Sequence, residues 1–418
     1  MDKRISVARS LSEAVTNVTK SWAKQRKAEE RNRGAIHYRR MRLVREDRIT
    51  IREAAFSVIE DAYLKASDDG SLPTRPRQIM YAARPQILSI TGQPTLDDRY
   101  FTQTLLPDYI NEHGADDWDV VWDARGHFIE PHTGREVPLG TLEVREYLGL
   151  RAPLRDTVSV EADILYPTRG PEQRYSAVLF IEKEGFGPLF KQAQLAERFD
   201  LAIMSTKGMS VTAARMLLDR LSDRGIEKFF VLHDFDVSGF SIFGTLGTDS
   251  RRYWFKNEIN LIDLGLRLAD AEAMGLQAEP EAMPGDWRKR AATLRRHGAT
   301  GAEIAFLQHQ RIELNAMTSR QLLDFIAEQL TADGITKLIP DDNILQQHAR
   351  RLLEQQLAAA AIAKLMPEIV KQAQARRLPA ALRKRIADIL QKEPEKSWDV
   401  ALAQSLGVTK SEREANKD

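Results

Sequence analysis

Apolar positions follow a helical spacing over the first part of the chain. Ile51 to Lys65 is the clearest amphipathic stretch of a basic helical region that runs to about residue 67. Asp68-Asp69-Gly70-Ser71 is a turn signal, and Pro73, Pro76 and Pro85 bracket a short helix that contains Arg77 and Tyr81. A further helix is predicted from Thr95 to Glu112, after a Gly-Gln-Pro turn. The pattern then turns to strand character at Trp118 to Trp122, with a hairpin turn at Asp123 to His127 and a second strand at Phe128-Ile129-Glu130. Helices followed by a hairpin suit a winged helix-turn-helix, and equally many other α+β domains.

From Pro167 onwards, short apolar runs alternate with helical segments. Strands are predicted at 178–181, 201–204 and 229–232, with helices at Pro188 to Arg198 and Val211 to Asp223. That alternation predicts a βαβ-type, largely parallel sheet. Gly275 to Arg296 reads as a surface excursion, and Arg311 to Leu330 returns to helical periodicity. Beyond Asp341, Ala, Leu, Gln, Lys and Arg dominate and predict several helices with a polar tail. No internal repeat is visible. The expected division is a basic helical region (1–67), an α+β domain (68–166), a parallel α/β domain (167–340) and a helical extension (341–418).

Composition narrows the class. The chain has 418 residues, 43% hydrophobic and 29% charged, which suits a folded chain of two or three domains. It has no run near the roughly 18 apolar residues of a membrane span, and its basic N-terminus lacks a signal-peptide core, so a cytoplasmic location is expected. Zero cysteines exclude disulfides and thiolate metal clusters, and eight histidines without an HExxH pattern give little support to zinc. Net charge is only +1, yet basic residues crowd the first fifty positions from Lys3 to Arg48. Such a face tracks a phosphate backbone or is simply solvated; charge alone does not decide.

Candidate chemistry gathers at the ends of two strands. Val178-Leu179-Phe180-Ile181 stops at Glu182, and Phe229-Phe230-Val231-Leu232 is followed by His233, Asp234, Phe235 and Asp236. In an open α/β sheet, ligands sit at the carboxyl ends of strands. Asp234 and Asp236, two apart on an extended segment, point to one side and with Glu182 make a set of hard oxygen ligands for Mg²⁺. Glu184 is an additional ligand, a supporting residue or an exposed acid. His233 alternates away from Asp234 if the extended geometry persists, and packing or support of the site is equally open for it. Ser238 and Ser241 are permissive. Lys207, in the Thr206-Lys207-Gly208 turn, contacts phosphate or is solvated.

Glu182 with its strand, Asp234-x-Asp236 and Gly239 resemble a Toprim domain, the metal-binding fold shared by topoisomerases and bacterial primases. The wording IEKEG, STKG and HDFDVSG is similar to the A-type chain of topoisomerase VI and the related meiotic double-strand-break protein. Val237 replaces the proline usual in that family. The run Arg311 to Ala316 is similar to the segment following the metal site. The resemblance implies an N-terminal winged-helix domain, a Rossmann-like Toprim domain and Mg²⁺ held by Glu182, Asp234 and Asp236. It matches Arg77-Gln78-Ile79-Met80-Tyr81 to the pattern around the DNA-cleaving tyrosine, which makes Tyr81 the nucleophile, with Met80 in place of a frequent aromatic residue. On a helix, Arg77 and Tyr81 share a face, so Arg77 can hold a phosphate as the Tyr81 oxygen approaches. The family's reaction is reversible double-strand cleavage of DNA through a 5′-phosphotyrosyl link, in a homodimer where the tyrosine of one protomer meets the metal site of the other. The chain lacks a GxxxxGK[ST] loop, so ATP-driven gating implies a separate B-type ATPase partner. A metal-dependent nuclease without a covalent link, and a non-catalytic DNA-binding module, stay open as alternatives.

Overall fold

A computed structural model describes residues 22, 49–115, 117–122, 126–132, 135–149, 174–206, 212–281 and 285–407, with Glu184 placed by its backbone only. The basic stretch before residue 49 (Trp22 apart), the turn at 123–125, the boundary at Pro167 to Pro171 and Lys207 lie outside the described residues. The chain divides into two units, Met1–Tyr63 with Ile79–Asp116 and Leu64–Gln78 with Asp117–Asp418.

The first unit is helical. Ile51–Phe56 opens on a Thr50 capping box closed by Glu53. Asp98–Tyr100 continues through a π turn at Phe101–Leu105 into Leu106–His113, so the helix expected from Thr95 is present but interrupted. Phe56 meets Tyr109 edge-on at 5.3 Å, and Arg52 pairs with Asp108 at 2.6 Å and with Glu112. The helix Pro76–Thr91 is longer than the prolines suggested. Pro76 suits a first helical turn, whereas Pro85 lies inside and cannot donate to the carbonyl of Tyr81 one turn earlier. Ile79, Met80, Tyr81, Ala83 and Ile87 on this helix are all buried.

In the second unit the expected strand at 118–122 makes, among the described residues, a single bridge, between Val120 and Thr74. Thr74 takes its backbone groups: its N–H donates to Asp119 O at 3.0 Å and its carbonyl accepts from Val121 at 2.8 Å. The hairpin forms further on, with β1 (His127–Ile129) antiparallel to β2 (Glu136–Pro138). Its Phe128 and Ile129 are exposed, so their apolar character did not mark a core position.

The main sheet has four strands, β3 (Ala177–Ile181), β4 (Leu201–Ser205), β5 (Lys228–Leu232) and β6 (Leu261–Asp263), in the order β4-β3-β5-β6 and all parallel. Every residue of β3 is buried, because parallel strands are covered on both faces by their crossover helices. Alternation assigns the faces. Ala177, Leu179, Ile181, Phe230 and Leu232 join one core with Phe190, Leu322 and Ile326. Val178, Phe180, Phe229 and Val231 join the other with Leu218, Ile242 and Leu246. Leu218 comes from the helix Thr212–Ser222, and Ile242 and Leu246 from the helix Val237–Leu246.

The segment expected to be a surface excursion is partly structural. Within it, β7 (Glu279–Pro280) pairs antiparallel with β8 (Gln310–Arg311), and the helix Trp287–Arg296 buries Leu294. That pairing joins residues about thirty positions apart, which local pattern does not reveal. Ser319–Ala332 is a helix with a Thr318–Gln321 capping box. The C-terminal region is helical as expected: Asp342–Ala375, Leu382–Lys392 and Trp398–Ser405.

Candidate functional site

Strand register levels the carboxylates. Ile181 pairs with Leu232, so Glu182 and the His233-Asp234 step leave the sheet at neighbouring strand ends. Asp236 is extended and caps the helix Val237–Leu246, its Oδ1 accepting from Gly239 N at 2.6 Å. Burial, and then the charge of Asp234, push the Asp236 carboxyl up to about 6 against the pull of the Gly239 N–H. Glu182, half-buried, is likewise raised by burial and by Asp234. Burial and like charge thus both work against ionisation of Glu182 and Asp236.

Lys183 pairs with one of these acids, and Arg311 joins it through Glu313. Lys183, directly after Glu182, pairs with Asp234 and lies 3.7 Å from Glu313. The other oxygen of Asp234 accepts from Leu314 N at 2.8 Å. Burial works to lower the Lys183 ammonium, but Asp234 and Glu313 outweigh it and hold it above its ordinary value. Arg311 reaches Glu313 at 3.2 Å and Glu279 at 3.5 Å. Arg77 also pairs with Glu313 and lies 3.8 Å from Glu279. Glu313 is only 3% exposed, and although burial opposes it, Lys183, Arg77 and Arg311 hold its carboxyl down at about 2.

Backbone pairing explains why Glu313 is there. Phe235 and Ile312 form an antiparallel bridge, exchanging bonds of 2.9 and 3.0 Å, which brings Glu313 and Leu314 beside Asp234. Arg77 is held nearby because Gln78 donates to Met317 O at 2.8 Å and Ser319 donates to Pro73 O at 2.6 Å. The run Arg311-Ile312-Glu313 was visible in the sequence, but nothing local marked its glutamate as part of the centre.

His233 supports the site from beneath. Its Nδ1 donates to the Asp234 carbonyl at 2.7 Å and its Nε2 faces Asp263 Oδ1 at 3.0 Å. Neither acceptor can donate, so both ring nitrogens carry protons. Burial opposes this, but Asp263 outweighs it and raises the imidazole. Arg267, 3.0 Å from Asp263, completes the support. A Cβ at Gly239 would lie 2.3 Å from the Asp234 carbonyl and 2.4 Å from His233 Nδ1, and one at Gly265 would lie 2.1 Å from the ring. Only glycines let helix and strand approach the histidine so closely. Ser241 donates to Val237 O within its helix, and Ser238 is exposed. Tyr81 is 2% exposed, with the Arg84 guanidinium 4.8 Å above its ring.

The donor chemistry of Glu182, Asp234 and Asp236 fits a hard divalent cation: oxygen ligands only, with Glu182 and Asp236 pushed toward neutrality by burial and by the charge of Asp234. Among the described residues no three His, Cys, Asp or Glu side chains stand ready to hold a metal ion. Lys183 and the Leu314 N–H each take one oxygen of Asp234.

Residues 177–333 match the family model for the Toprim domain of the TOP6A-Spo11 family, the A chain of topoisomerase 6 and Spo11. This segment is a Toprim domain of that family. The matched span starts at the first residue of β3 and ends just past the helix Ser319–Ala332, so it encloses the whole acidic centre except Arg77. No curated protein matches the chain. No described helix is long and apolar enough to cross a membrane.

Proposed function

We propose that the chain is a DNA-cleaving protein akin to the A-type chain of topoisomerase VI, making double-strand breaks by tyrosine transesterification. The observation that carries this reading is the acidic centre at the carboxyl ends of β3 and β5 within a Toprim domain of that family. The Tyr81 oxygen would attack a backbone phosphorus, its proton passing to solvent. The bond from phosphorus to the 3′-oxygen would break, that oxygen taking up a proton, and a 5′-phosphotyrosyl link would form. Arg77 would leave Glu313 to hold the phosphate. Glu182, Asp234 and Asp236 are the residues that would hold Mg²⁺, which when bound screens phosphate oxygens and orients the backbone. Double-strand cleavage calls for a homodimer, and strand passage for a B-type ATPase partner. The segment 68–166 would serve as the winged-helix-like DNA-binding part, with Lys207 as a further phosphate contact. A cytoplasmic location belongs to the same reading.

The burial of Tyr81 favours a second reading. A phenol at 2% exposure reaches DNA only after its helix opens, whereas a Toprim nuclease that uses water needs no tyrosine. One experiment separates them. The full chain is incubated with Mg²⁺ and supercoiled DNA, with and without an ATPase partner, then denatured. Transesterification predicts DNA fragments linked to protein at their 5′ ends, absent with Tyr81→Phe. Cutting that survives Tyr81→Phe without linked protein supports the nuclease. DNA binding without cutting under every condition supports an accessory module.

A further inference from the structure

The ammonium of Lys183 lies between two carboxylates, paired with Asp234 and 3.7 Å from Glu313. Asp234 gives its second oxygen to Leu314 N, so a cation that binds the first oxygen competes directly with the Lys183 ammonium. Glu313 is the natural alternative acceptor. It is buried, ionised down to a pH of about 2, and already faces the centre. A lysine ammonium is a compact point charge on a flexible stem and can turn from one acceptor to the other, whereas Arg77 and Arg311 engage their carboxylates through planar forks.

We infer that Lys183 is an exchangeable internal cation: a divalent ion binds Asp234 by displacing the Lys183 ammonium onto Glu313. This rests on the metal-dependent reading above. It adds that Lys183 and Glu313, neither of them a ligand, set the affinity of the centre. Removing the ammonium removes the competitor. Removing the Glu313 charge leaves Lys183 with no second acceptor and holds it on Asp234.

Calorimetric titration of the full chain with Mn²⁺ tests this, with folding of each variant checked by thermal unfolding. Lys183→Met is expected to bind at least tenfold more tightly than the natural chain, and Glu313→Gln at least tenfold more weakly. Since Glu313→Gln also removes a nearby negative charge, the deciding quantity is the double variant. If exchange operates, most of the Glu313→Gln loss disappears once Lys183 is methionine. Should Lys183→Met fail to fold, Lys183→Gln takes its place in the cycle. Unchanged or weaker binding by Lys183→Met overturns the inference, as does a Glu313→Gln effect equal in both backgrounds. If the natural chain, Lys183→Met and Asp234→Asn all fail to bind Mn²⁺, the metal-dependent reading falls, and this inference with it.

Discussion

At the scale of single residues, the centre is a set of opposed charges held at a strand edge. Arg77 is the main partner of Glu313, and truncation leaves a buried carboxylate with fewer cations. Breaking a buried pair costs roughly 3–5 kcal/mol where no substitute exists. Because Lys183 and Arg311 remain, Arg77→Ala is expected to lower stability by about 2 kcal/mol in urea unfolding, and Arg77→Lys by less. A second prediction concerns close approach. Gly239→Ala places a Cβ within 2.4 Å of both the Asp234 carbonyl and His233 Nδ1, and neither can retreat without breaking its hydrogen bond to the other. Overpacking of this kind costs about 1–3 kcal/mol, measurable as a drop in melting temperature. At this scale the sequence was informative about ligand type and silent about compensation. Glu182, Asp234 and Asp236 announced themselves by ending apolar runs. Lys183 stood next to Glu182 without a reading of its own, because its partner Asp234 follows the neighbouring strand, about fifty positions away in the chain. Asp263 and Glu313 were hidden in the same way.

At the scale of elements, the sheet was legible and its attachments were not. The strands 178–181, 201–204 and 229–232 were readable because parallel strands buried on both faces form near-continuous apolar runs. The bridge between Phe235 and Ile312 and the pairing of β7 with β8 joined distant residues, so the segment from Gly275 read as an excursion. One attachment gives a pH prediction. Arg267 binds Glu303 at 2.7 Å, tying the start of the helix Leu268–Ala273 to the helix Gly301–Leu307. Burial opposes ionisation of Glu303, but Arg267 and the Thr300 N–H prevail and lower its carboxyl from 4.5 to about 2. The folded value lies below the unfolded one, so this stability is present above pH 4.5 and is lost as pH falls toward 2. It amounts to about 3 kcal/mol at most. Glu303→Gln should flatten the loss of melting temperature between about pH 5 and about pH 2.5. An acid limb identical to that of the natural chain would contradict the assignment.

At the scale of the whole molecule, the Toprim domain and the C-terminal helices make different demands. The helix Asp342–Ala375 has no buried residue along its 34 positions. Ending the chain at Pro340 is therefore expected to leave the unfolding free energy of the Toprim unit in urea nearly unchanged, within about 0.5 kcal/mol. The account stands on the acidic centre acting on DNA, and Asp236 is its most direct probe. Asparagine keeps the helix cap that Asp236 makes with Gly239 while removing the charge, so Asp236→Asn should fold. The measurement is the conversion of supercoiled DNA to nicked and linear forms by the full chain with Mg²⁺, supplied with an ATPase partner where one is required. The account predicts cutting by the natural chain and at least a hundredfold loss in folded Asp236→Asn. Equal cutting by the two proteins would contradict it.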